Sequence, residues 1–96
     1  MVVVDHEPHA WFLLRDARGL VLDVNCSHSA ASFSRVLRLL PHEMAEIESH
    51  GHSGVDGLAR AIQDSPVKYS ARCGDPDLEA ASLTAIRGWL ARQAAP

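Results

Sequence analysis

From Leu20 to Cys26 the chain alternates, with Leu20, Leu22, Val24 and Cys26 on one face of an extended strand and Val21, Asp23 and Asn25 on the other. Just before it, Ala10 to Arg15 sets Trp11 and Leu13 against Phe12 and Leu14. Between the two lies Asp16-Ala17-Arg18-Gly19, which carries turn chemistry: Asp16 can bond its own backbone and Gly19 can take a positive φ. Residues 11–26 are therefore expected to form a β-hairpin. Upstream, Met1 to His9 begins with three valines and ends in Glu7-Pro8-His9, a pattern of either a short edge strand or a frayed tail.

Ala30 to Leu40 fits two periods. As a helix, Ala30, Phe33, Val36, Leu37 and Leu40 make one apolar stripe; as a strand, Phe33, Leu37 and Leu39 share a face with Arg35. The helical period fits slightly better. A hairpin alone is marginal in water, however, and a third strand would give the sheet a stable face, so a strand is favoured. Pro41 then suits the first position of a short helix to about Ser49, with Met44 and Ile47 inward and Gly51 and Gly54 breaking it. Ser53-Gly54-Val55-Asp56 resembles a capping box ahead of Val55, Leu58, Ala59 and Ile62, and Ser65-Pro66 stops that run. Val67 to Cys73 is a connector with room for a short edge strand. Asp75 caps a longer helix striped with Leu78, Ala81, Ala85, Ile86, Trp89 and Leu90.

These elements predict one α+β domain over residues 1–96. An N-terminal antiparallel hairpin or meander of two to four strands should carry two or three helices packed on one face. Phe33, Leu37, Leu58, Ile62, Ile86 and Trp89 should then meet Leu20, Leu22 and Val24 in a single core. That arrangement leaves Phe12, Leu14 and Val21 on the other face, an apolar surface in need of cover.

Composition narrows the function classes. Aromatic residues are only 5% of the 96, so the core must be aliphatic. A net charge of −3, with Lys and Arg scattered, argues against nucleic acid as a partner. Six histidines would shift that to −3 + 6 = +3 if all were protonated, so the sign can invert near pH 6. The first residues lack the charged and apolar regions of a signal peptide, and no apolar run approaches a membrane span. Two cysteines make no disulfide framework, so free thiols and a cytoplasmic address are expected.

Three clusters carry candidate chemistry. Asn25-Cys26-Ser27-His28-Ser29 puts a thiol, hydroxyls and an imidazole at a strand end, where Cys26, Ser27 and His28 suggest a thiol- or serine-hydrolase site. The competing expectation is that Cys26 simply closes the buried face begun by Leu20. His42, Glu46 and His50 recur every four residues and would stack on one helix face, a conceivable metal set, though that face lies opposite Met44 and Ile47 and should be solvated. His6-Glu7-Pro8-His9 has a weaker claim because Pro8 prevents a regular helix. Asp23 and Asn25 belong either to a solvated sheet face or to the lining of a groove, with Arg35 a possible ion-pair partner for Asp23. No phosphate-binding glycine loop is present, and no cofactor is implied. The uncovered apolar face therefore sets the leading expectation: a non-enzymatic interaction or regulatory module that self-associates as a homodimer or binds another protein, with any small-molecule ligand unspecified.

Overall fold

The structure, a computed structural model, describes residues 1–28 and 31–94, and only the backbone at 27, 28, 31 and 32. Four antiparallel strands form one sheet in sequence order: β1 (Val2–Glu7), β2 (Trp11–Asp16), β3 (Gly19–His28) and β4 (Ala31–Arg38). Helices α1 (Pro41–His50), α2 (His52–Asp64), α3 (Pro66–Tyr69) and α4 (Pro76–Ala94) follow, with a 3-10 turn at Ser70–Arg72. The α+β class and the antiparallel meander are as expected, and residues 31–38 take the strand alternative.

Turn chemistry sets the register. Asp16 pairs with Gly19 across the tight turn, Asp16 Oδ1 accepts a bond from the Arg18 amide, and Gly19 sits at φ 134°. Arg38 on β4 grips both oxygens of Asp16 at 2.9 and 2.7 Å, tying the hairpin to the last strand. Between β1 and β2, Pro8 precedes His9 at φ 65°, and the Ala10 amide closes the turn on Glu7 O. The N-terminal segment is thus an edge strand, with a bulge between Val3 and Asp5.

Layering departs from the expectation. The sheet is covered on both faces, not one, and there are two cores. On the first face Trp11, Leu13, Leu22, Val24, Cys26, Leu37 and Leu39 pack against Ile47, Val55, Ala59 and Ile62 of α1 and α2. On the second, Leu14, Val21 and Val36 pack against Ile86 of α4, with Val3, Phe12, Leu78 and Ala85 around them. Ile86 and Trp89 therefore lie across the sheet from Leu58 and Ile62. The reason is in the strands: both faces of β2 and β3 are apolar, so helices on one side would leave Leu14 and Val21 wet.

The connector makes the crossing possible. Instead of an edge strand, residues 66–72 form α3 and the 3-10 turn. Arg72 then reaches Glu43 on α1, at 3.0 and 2.6 Å, and the carbonyl of Arg38. Burial works against charge on Glu43, but the Arg72 guanidinium and the Leu40 amide outweigh it and hold its pKa below the ordinary value. Gly74, at φ 92°, turns the chain toward the second face. Asp75 caps α4 as expected, accepting from the amides of Asp77 and Leu78.

Two local expectations also change. Gly51 alone breaks the first helix, and Ser53 lies inside α2 with its hydroxyl bonded to His50 O rather than acting as a capping box. Along α4 the buried stripe runs through Ser82 and Ile86, while Ala81, Leu83 and Leu90 face outward. No helix among the described residues is long and apolar enough to cross a membrane.

Candidate functional site

Helix α4 does not seal the face it covers. Between it and the sheet runs a groove of about 450 Å³, walled by His6, Phe12, Asp23, Asn25 and Ser34 on the strands and by Leu83, Ile86, Trp89 and Leu90 on the helix. Period-2 geometry explains the floor, because Val21, Asp23 and Asn25 must point the same way from β3. Leu83 and Leu90 form a rim, each 48% exposed. The volume lies within the ordinary range for small-ligand sites, and the walls are mainly apolar with a few convergent polar groups.

An aromatic cluster shapes one end. The Trp89 ring lies 4.5 Å from His6 and 5.7 Å from Phe12, the second contact edge-on. His6 and Phe12 are cross-strand partners stacked at 5.7 Å. These rings fix the C-terminal half of α4 against β1 and β2 while leaving the groove open beside them.

Asp23 is the chemical centre. Ser82, fully buried on α4, donates its hydroxyl to Asp23 Oδ2 at 2.8 Å. Burial raises the carboxyl's pKa, the Ser82 bond lowers it, and the charge of Glu79 raises it further, for a net rise. A carboxylate in an apolar cleft with a raised pKa is a functional-site signature as well as a structural pair. Asn25 has a supporting part. Its side-chain amide donates to His9 O at 3.0 Å, and its backbone amide donates to Ala10 O, so it pins the turn that closes one end of the groove.

Arg35 does not join them. It pairs with Val24 across β3–β4 and so lies on the α1–α2 side, and the expected Asp23–Arg35 ion pair is absent. Its guanidinium sits 5.0 Å from the Phe33 ring, and its buried Nε lacks a hydrogen-bond partner among the described residues.

The other candidates fare differently. Cys26 is fully buried in the first core, and burial pushes its thiol pKa upward. That is the environment of a core side chain, opposite to that of an activated nucleophile. The side chains of Ser27 and His28, and all of Ser29, lie outside the described residues. His42, Glu46 and His50 do line one groove, between α1 and α2, with Tyr69 beyond them. All three are exposed, His50 Nε2 lies 3.4 Å from Glu46 Oε2, and no three such side chains among the described residues converge as a metal site would require. His6 and His9 fall on the rim of the α4 groove, not on one another.

Self-association loses its original basis, because Phe12, Leu14 and Val21 already lie under α4. Of the two alternatives for Asp23 and Asn25 the structure takes the groove lining, though against α4 rather than a loop, and the sequence reading overlooked Ser82. One signal was present: Ser82 interrupts an apolar stripe at four residues from both Leu78 and Ile86, and a hydroxyl there calls for a buried partner. No family model, curated protein or solved structure matches this chain.

Proposed function

We propose that this protein is a non-enzymatic ligand-binding module, and that its ligand is a small molecule with a flat apolar body held between α4 and the sheet. The observation that carries this reading is the open groove itself. It is lined by Phe12, Ile86, Trp89 and the half-exposed Leu83 and Leu90, with the partly desolvated Asp23 carboxylate on the same wall. Burying a ring of some 100 Å² of apolar surface there is worth about 2.5 kcal/mol before ordering costs, enough for a weak fragment and more for a larger ligand. Asp23 and Asn25 supply polar orientation, as the sparse polar groups of such sites do. A catalytic role has less support, since Asp23 has a hydroxyl partner but no nucleophile and base arranged around it among the described side chains.

Amide-shift mapping by NMR with indole as a neutral probe tests the proposal. Shifts should cluster at Phe12, Asp23, Ser34, Ile86 and Trp89 and saturate with concentration. Shifts confined to α1 and α2, or none at millimolar indole, would overturn it.

A further inference from the structure

Resting on that binding site, we infer that the preferred occupant carries a protonated amine beside its aromatic body, with the amine seated on Asp23. The groove's charge is one-sided. Among the described residues Asp23 is the one carboxylate on its wall, His6 and His9 are the basic side chains there, and no Lys or Arg lines it. Glu79 on α4 adds a second negative charge close enough to act on Asp23. Ser82 engages Oδ2 as a neutral donor and compensates none of that charge. Arg35 lies on the far side of the sheet, and Arg38, on the side of Asp23, is held by both oxygens of Asp16.

A carboxylate removed from water without a cation is an unfavourable arrangement that a cationic ligand would relieve. The same wall carries the rings of Trp89, Phe12 and His6, and an ammonium group is also attracted to aromatic faces. Carboxylate and rings together select against an anion, which would meet two negative charges, and favour an aromatic amine over its neutral isostere. Burial raises the Asp23 pKa, and an incoming ammonium would oppose that direction by favouring the ionised form.

The test is calorimetric titration of the intact chain at pH 7 with three probes of one ring system: tryptamine, 3-methylindole and indole-3-acetate. Tryptamine should bind at least ten-fold more tightly than 3-methylindole, and indole-3-acetate weakest. Asp23→Asn should bring tryptamine down to the level of 3-methylindole measured on the same variant. Glu79 is exposed, so Glu79→Gln keeps the question answerable if the first variant folds poorly, and it should weaken tryptamine about two- to three-fold. Equal binding of tryptamine and 3-methylindole would overturn the amine preference and leave the groove's function standing. Binding of none of the three would overturn both.

Discussion

The two faces of the sheet differ in the size of their cores and in the polar groups held beside them. Under α1 and α2, eleven buried residues among those described interlock, and several polar groups at their margin are matched: Trp11 Nε1 to Asp56, Gln63 to Asn25 O, Arg72 to Glu43. The buried Nε of Arg35, however, has no partner among the described residues, and a pocket remains beside Leu13, Leu20, Met44 and Ile47. Under α4 only four buried residues form the core, and the rest of the face opens into the groove around Asp23. The first face is built for stability. The second has the smaller core and keeps a carboxylate in a partly desolvated place.

The contrast is sharpest in core truncations. Leu22→Ala, fully buried in the larger core, should lower the unfolding free energy by about 4 kcal/mol, and Ile86→Ala, at the margin of the smaller core, by about 2 kcal/mol. Urea denaturation of both variants measures the gap, and equal losses would break the comparison. Next in size is Arg72→Met, which strands the Glu43 carboxylate and should cost on the order of 2 kcal/mol near pH 7. Because the folded pKa of Glu43 is lowered, its contribution is present above 4.5 and disappears as pH falls through the folded value. The acid-side slope should therefore flatten in Arg72→Met.

Asp23→Asn reverses the expected sign. The amide can still accept from Ser82 and removes both the buried charge and its repulsion with Glu79, so the unfolding midpoint at pH 7 should stay level or rise. A clear fall would mean that Asp23 serves the fold rather than a ligand. The smallest effect belongs to the sheet edge. His52 at the start of α2 bonds Asp5 through Nδ1 and Glu7 through Nε2, both at 2.9 Å, and these bonds raise its pKa above 6.5. Its stabilisation is complete below 6.5 and is lost as pH rises through the folded value. Thermal melts of His52→Gln should show a weaker decline over that interval than the parent chain.

Local patterning made much of the fold legible. Alternation in residues 20–26, the Asp16–Gly19 turn, Pro41 and the Asp75 cap each act through near neighbours, and each element formed where those signals stand. The strand alternative put Arg35 inward with Phe33 and Leu37, where it lies, and the pairing considered for it with Asp23 would have needed the other face. The ligand groove was not legible in the same way. Asp23 and Ser82 are 59 residues apart, and nothing within either segment indicates that α4 crosses to the face bearing Asp23.

What the sequence determined alone is the 11–26 hairpin and the helices begun at Pro41 and Asp75, since period and turn chemistry are short-range, whereas residues 2–7, 31–38 and 66–72 took their form from tertiary context. The two apolar faces of β2 and β3 also required cover, whatever supplied it. Only the tertiary structure decided which helix covered which face. That choice depends on the 66–75 connector, on Arg72 bridging α1 and β4, and on the depth to which α4 settles over Leu14 and Val21. The groove is the space that this last packing step leaves unfilled, and packing between distant segments has no local signature.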